Sequence, residues 1–103
     1  MSVHYKTITS DLSNATFMSR IYAVCITGDS DPGTNGVNLK LTINGSDVLM
    51  DGVPPTWDSA AAGSGGVNWY YTNLASPSAG IPVSQADFDL TGACSVVIAY
   101  EPA

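Results

Sequence analysis

The sequence predicts an all-β fold, an antiparallel, jelly-roll-like β-sandwich of about six to eight short strands. Apolar and polar residues alternate along several segments, as they do in half-buried strands, and no segment has the spacing of an amphipathic helix. Clusters of Gly, Pro, Asn and Asp separate these segments at short intervals, which is typical of sandwiches and jelly rolls. A length of 103 residues suits a single domain, so we expect one sandwich over residues 1–103.

A hairpin in the first half of the chain is the clearest element. Residues 37–43 are apolar at every odd position and polar at every even one, which is the pattern of a strand with one buried face. Asn44 and Gly45 follow, and both residue types accept the positive φ of a tight hairpin turn. Residues 48–50 are the predicted return strand.

Two longer segments, residues 17–27 and 94–101, are predicted to be strands with apolar residues on both faces. Such a strand is normally central in its sheet or covered by a second layer. Each sheet of a single sandwich has one outer face, so the surplus apolar surface needs a cover. A neighbouring subunit or a loop folded back over the sheet would serve equally well. We expect a homo-oligomer, with a trimer as the first choice, and with the contact residues Ile21, Ala23, Cys25, Val97 and Ala99.

Weaker alternation predicts further strands at residues 4–8, 67–72 and 86–90. Residues 53–66 form one long segment of low complexity, which begins with two prolines and continues in Ala, Gly and Ser. Long loops in compact domains are usually functional or mobile. This segment is therefore predicted to be a loop that contacts a partner.

The composition suits a surface that contacts other proteins as well as it suits an ordinary secreted domain. Charged residues make up only 12% of the chain, and a neutral polar surface is easier to desolvate than a charged one. A secreted β domain with an ordinary polar surface is the alternative interpretation. The formal net charge of -6 disfavours a phosphate backbone, which requires clustered Lys and Arg, and also disfavours anionic membranes. We expect neither nucleic acid nor membrane as a partner.

The N-terminus lacks the basic and apolar blocks of a signal peptide, and no run of about 18 apolar residues could span a bilayer. We therefore expect a protein that is made and kept in the cytoplasm, or one from which a leader has been removed. Cys25 and Cys94 are expected to be buried thiols there, with a bridge between neighbouring strands as the alternative. No CxxC pair or Cys/His cluster indicates a zinc site, and we expect no metal and no cofactor.

Few residues are candidates for catalysis. His4 is the only histidine, and a residue of an N-terminal strand is a better explanation for it than the base of a nucleophilic triad. Asp87 and Asp89 share one face of a predicted strand, at a separation that glycosidase carboxylates use. An edge strand with a polar outer face explains them better. The chain is therefore predicted not to be an enzyme.

Residues 28–36 resemble a calcium-binding loop in part. Asp29, Asp31 and Asn35 supply oxygen atoms at alternate positions, but Lys40 stands where an EF-hand has its glutamate. A loop between two strands is the better explanation of this segment.

Aromatic residues surround the 53–66 loop. Trp69 and Tyr71 share a strand face and are predicted to pack in the core, whereas Trp57 is difficult to bury among prolines and small residues. Aromatic side chains anchor protein interfaces. Beside amides and carboxylates they also bind sugars, so a carbohydrate-binding module or lectin is the alternative function. The predicted partner-binding residues are Trp57, Pro54, Pro55, Asp58 and Tyr70.

Four segments follow one another in a suggestive order. They are RIYAV at residues 20–24, LKLTINGS at 39–46, a loop with tryptophan, and LTGACSVVIAYE at 90–101. This order resembles that of the small jelly-roll or β-sandwich virion proteins of tailed bacteriophages, especially capsid decoration (cement) proteins. The resemblance implies a non-enzymatic homo-oligomer, often a trimer, that is located in the virion and binds and stabilises the shell of major capsid protein.

Overall fold

The fold is described from a computed structural model, which covers residues 3–27, 39–49, 58–60, 67–72, 79–90 and 95–103. These residues form strands and turns, and none of them lies in a helix. No helix that is long and apolar enough to cross a membrane therefore occurs within these ranges. The strands are His4–Ile8 (β1), Leu12–Ala15 (β2), Met18–Thr27 (β3), Lys40–Ile43 (β4), Ser46–Leu49 (β5), Asp58–Ala60 (β6), Val67–Tyr71 (β7), Ile81–Pro82 (β8), Ala86–Asp89 (β9) and Ser95–Pro102 (β10).

The predicted all-β sandwich is confirmed, and the described residues form ten strands rather than the six to eight expected. The strands missed are the short β2, β6 and β8, which have two to four residues each. Strand β6 lies inside the segment predicted to be one long loop. Segments this short carry too few alternating positions to be read from a pattern, because the neighbouring strands define them.

The two sheets have a jelly-roll topology. The chain is arranged as one long hairpin whose nested arms pair as β4·β5, β3·β7, β2·β9 and β1·β10, all antiparallel. Further pairing of β10 with β3 and of β9 with β4 rolls this hairpin into two layers. One sheet has the order β1-β10-β3-β7-β6, with β8 also paired to β3, and the other has the order β2-β9-β4-β5. Eight of the ten strands thus form the two four-stranded layers of a jelly roll.

The predicted hairpin turn is confirmed at the tip of this long hairpin. Asn44 has φ 52° and Gly45 has φ 84°, which are the two left-handed residues that a type I′ turn requires. The Asn44 side chain also ties the turn to the segment before β9. Its Oδ1 accepts hydrogen bonds from the amides of Ser84 at 2.7 Å and Gln85 at 3.2 Å, and its Nδ2 donates to the carbonyl of Pro82 at 3.3 Å.

We expect Asn44→Gly to lower the free energy of unfolding by roughly 1–2 kcal/mol, because it removes three partly exposed hydrogen bonds while glycine keeps the left-handed turn. Asn44→Asp is the matched control, since it keeps the acceptor for Ser84 and Gln85 and loses only the donor to Pro82. Urea denaturation should place it between the wild type and Asn44→Gly. Equal stability of all three proteins would contradict this role.

The main core lies between the two sheets. Its largest fully buried side chains come from both layers, with Tyr70, Met18 and Ile21 from the six-stranded sheet and Phe88 and Leu41 from the four-stranded sheet. Phe88 is the cross-strand partner of Leu41, so the inner face of the second sheet is continuous and apolar. This packing fixes which side of each strand faces outward.

A bulge in β3 changes the alternation of its side chains. Ile21 pairs with Tyr100 and Ala23 pairs with Ala99, which leaves Tyr22 as the extra residue. Ile21 belongs to the core between the sheets, whereas Tyr22 and Ala23 belong to a second buried cluster with Ala99. The bulge therefore puts two consecutive residues outside that core. The strand faces the core with Ile21 before the bulge and with even-numbered residues after it.

Candidate interaction surface

The outer face of the six-stranded sheet carries two cross-strand rows of mostly apolar residues. The first row runs Tyr5, Ala99, Ala23, Tyr71 across β1, β10, β3 and β7. The second row runs Thr7, Val97, Cys25, Trp69 across the same strands. None of these eight residues is charged, but the same face carries Glu101, which alternates with Val97 and Ala99 along β10.

These rows form an open trough with a small-residue floor and aromatic walls. The floor of the trough consists of Ala23 and Ala99. Tyr5 forms one wall, and Trp69 and Tyr71 form the other. The volume of the trough is about 260 Å³. Tyr5 is 67% exposed, and Val3 beside it is 43% exposed. Trp69 and Tyr71 stack with ring centroids 6.2 Å apart. A concave surface built in this way is suited to binding.

Tyr22 closes one end of the trough. The bulge directs it outward, and its hydroxyl donates a hydrogen bond to Oε2 of Glu101 at 3.3 Å. Its carbonyl accepts hydrogen bonds from both the amide and the hydroxyl of Thr72. Burial raises the pKa of the Tyr22 phenol above its ordinary value, and the Glu101 carboxylate raises it further. The phenol therefore stays neutral and acts as a fixed part of the wall.

Four of the five predicted oligomer-contact residues lie together on this face. Ala23, Cys25, Val97 and Ala99 occupy its two rows. Cys25 is buried as predicted, Ala23 and Ala99 are buried too, and only Val97 is partly exposed. Ile21 is a correction, because the bulge places its side chain in the core between the sheets, where it is fully buried.

The two faces of β7 were also predicted the wrong way round, so that residues expected in the core lie on the outer face and the reverse. Tyr70, predicted to bind a partner, has 0% exposure in the core between the sheets and cannot reach a partner directly. Trp69 and Tyr71, predicted to pack in that core, contact the outer cluster of Tyr22, Ala23 and Ala99 instead. The partly exposed aromatic rings of β7 are therefore its odd-numbered residues.

Other predicted partner-binding residues lie in or beside undescribed segments. Trp57, Pro54 and Pro55 lie outside the described residues, as do Cys94 and the 28–36 segment with its calcium-like pattern. The backbone of Asp58 begins β6 and pairs with Tyr71. This part of the 53–66 segment therefore lies at the border of the trough.

The opposite outer face, on the four-stranded sheet, is polar and acidic. Lys40 pairs across strands with Asp89, and Thr42 pairs with Asp87. Strand β9 lies between β2 and β4, so the prediction that Asp87 and Asp89 stand on an edge strand is wrong. The Asp87 carboxylate accepts a hydrogen bond from the amide of Asn14 at 2.6 Å and so supports the left-handed turn of that residue.

The described residues contain no group of three or more His, Cys, Asp or Glu side chains that could hold a metal ion. His4 is exposed on β1, with its ring centroid 6.0 Å from that of Tyr100. These positions match the interpretation of His4 as a strand residue.

Val3, Tyr5 and Tyr22 line the trough and were missed by sequence reasoning. The alternation of residues 4–8 places Tyr5 on the face with Thr7, a signal that was available. The orientation of Tyr22 depends on a bulge that has no glycine or proline to mark it. Comparisons of this chain with protein-family models, curated proteins and solved structures give no match.

Proposed function

We propose that this protein is a non-enzymatic structural component of a virion, of the capsid decoration type, that binds the major capsid protein and copies of itself. The observation that carries the proposal is the apolar, aromatic-walled outer face of the six-stranded sheet. On this face Val3 and Tyr5 are exposed and Trp69 and Tyr71 are partly exposed, and exposed apolar side chains that lie together are suited to contact with another protein. Aromatic side chains are enriched at the centre of protein interfaces.

The jelly-roll topology supports the same proposal. This architecture is common in viral capsid proteins and in lectins, and the order of segments resembles phage decoration proteins in particular. A protein that binds only the closed shell stabilises it by mass action, a mechanism that needs surface complementarity and no reactive group. Contact with the capsid protein is assigned to Trp57 and its flanking prolines on the sequence argument alone, and copies meet through the sheet face.

The direct test is cosedimentation with capsid shells assembled from the major capsid protein of the proposed virion. The wild type should pellet with the shells and raise their disruption temperature. Trp57→Ala should weaken shell binding by about 2 kcal/mol or more, as loss of an interface anchor does. Ser46→Ala, an exposed hairpin position on the other sheet, should bind like the wild type. Absence of the wild type from the shell pellet would overturn the proposal.

Carbohydrate binding is the second candidate function, favoured by the stacked Trp69–Tyr71 pair beside the trough. Aromatic faces of this kind can stack on the apolar side of a sugar ring. Titration with neutral soluble oligosaccharides should then shift the Trp69 indole NMR signal, assigned by comparison with Trp69→Phe. An unchanged signal at millimolar sugar would exclude this function.

A further inference from the structure

We infer that Asn44 is a modification site that the fold keeps closed. The Asn44–Gly45 dipeptide deamidates when the β4–β5 hairpin opens and is stable while the hairpin is formed. An asparagine followed by glycine has the least hindered route to loss of its side-chain amide, because glycine carries no Cβ beside the attacking nitrogen. This site is independent of the proposed function.

Deamidation joins two atoms of these neighbouring residues. The Gly45 amide nitrogen gives its proton to water and attacks Cγ of Asn44. The N–Cγ bond forms, the Cγ–Nδ2 bond breaks, and Nδ2 takes up a proton and leaves as ammonia. Water then opens the five-membered ring at either carbonyl, which gives aspartate or isoaspartate at position 44. Water is the only co-reactant, and both residues are exposed to it, so burial does not protect them.

The type I′ turn holds the two reacting atoms apart. Asn44 has φ 52° and Gly45 has φ 84°, and the first residue of such a turn has a ψ of about 30°. That angle places Cβ of Asn44 nearly opposite the Gly45 nitrogen about the Cα–C bond. Ring closure requires Cβ and this nitrogen on the same side, so the backbone must first rotate out of the turn.

Hydrogen bonds hold the Asn44 side chain in the same unreactive position. Its Oδ1 accepts from the amides of Ser84 at 2.7 Å and Gln85 at 3.2 Å, and its Nδ2 donates to the carbonyl of Pro82 at 3.3 Å. The backbone amide of Asn44 also donates to the carbonyl of Gln85 at 2.9 Å. The two amides on Oδ1 would stabilise negative charge during attack, but the Gly45 nitrogen cannot reach Cγ while these bonds are made.

Modification would change the hairpin permanently. Isoaspartate adds a methylene group to the backbone of a two-residue loop, which cannot then keep the register of Ile43 with Ser46. Aspartate keeps the acceptor for Ser84 and Gln85 but brings a carboxylate to the carbonyl of Pro82, where the amide had donated. A chain that deamidates while the hairpin is open therefore closes again less tightly.

The test compares deamidation rates by peptide mapping and mass spectrometry at mildly alkaline pH. In native buffer Asn44 should react at least about tenfold more slowly than in concentrated guanidinium chloride, because the hairpin must open first. Asn35–Gly36 is the same dipeptide and serves in the denaturant as the reference for an unhindered rate. The Asn44→Asp protein is the chromatographic standard for the aspartate product. Equal rates in buffer and denaturant, or a faster reaction in buffer, would overturn the inference.

Thr42→Ala tests whether the hairpin controls the reaction. It removes the hydrogen bond from Oγ1 of Thr42 to Oδ1 of Asp47 at 2.9 Å and leaves Asn44 and its partners in place. The rate in native buffer should therefore rise about two- to tenfold. Thr7→Ala is the matched control, at an exposed position on β1 of the other sheet, and should react like the wild type. A rate that is unchanged in Thr42→Ala, or raised equally in both variants, would contradict control by the hairpin.

Discussion

Tyr70→Ala is expected to lower the free energy of unfolding by about 3–5 kcal/mol, as removal of a large core aromatic does. The Tyr70 side chain is fully buried between the sheets, and its cross-strand partner is Val24, also fully buried. Replacement leaves a cavity that the surrounding strands cannot close without breaking their ladders. Since small domains are stable by only about 5–15 kcal/mol, urea denaturation should show a large loss.

Tyr71→Ala is the matched control, one residue further along the same strand. Tyr71 lies on the outer face and is only partly buried, so its loss should reduce stability by roughly 1 kcal/mol. Its effect should appear instead in self-association, through the wall of the trough. If Tyr71→Ala destabilises the monomer more than Tyr70→Ala does, the assigned faces of β7 are reversed.

Gly80→Ala is expected to lower the free energy of unfolding by about 2–5 kcal/mol. Gly80 has φ 63°, where a side chain adds roughly 1–2 kcal/mol of strain. An added Cβ would also lie 2.8 Å from the carbonyl oxygen of Ile21 and 2.7 Å from Cδ1 of Tyr22. Relief of that overlap adds about 1–3 kcal/mol, because the backbone of β3 must move.

Gly45→Ala provides the control for Gly80→Ala. Gly45 has φ 84°, but a Cβ at this position meets no atom within 4 Å. Only the conformational strain of roughly 1–2 kcal/mol is expected. The difference between the two variants in thermal unfolding measures the overlap at Gly80. If both variants lose the same stability, the close approach of residues 79–82 to β3 contributes nothing.

How far the sequence predicts this fold can be judged from β7. Alternation reveals the period of a strand, but the side that faces the core depends on its neighbours. Three apolar residues of β7, namely Val67, Trp69 and Tyr71, stand at odd positions, whereas only Tyr70 stands at an even one. The alternation therefore predicts that the odd residues face the core. The structure places Tyr70 inward because it pairs with Val24, and β3 is apolar on both sides and could not indicate the choice.

Some residues on the outer face of the six-stranded sheet could be predicted from the sequence, and others could not. Ala23, Cys25, Val97 and Ala99 follow from strands with two apolar faces, whereas Ile21 was placed on the wrong side by a bulge that the sequence does not mark. The aromatic walls depend on which distant strands become neighbours. Tyr5 and Tyr71 reach one row only through the pairing of β1 with β10 and of β7 with β3, which no local pattern encodes.

The nested strand order has a consequence for synthesis and folding. The floor and one wall of the trough come from opposite ends of the chain, with Tyr5 in β1 and Ala99 in β10. Contacts between such distant segments form late and slowly, because a long loop must close first. The trough therefore cannot form until residue 99 has left the ribosome. Any association through this face, as proposed above, is thus open only to chains synthesised at least to that residue.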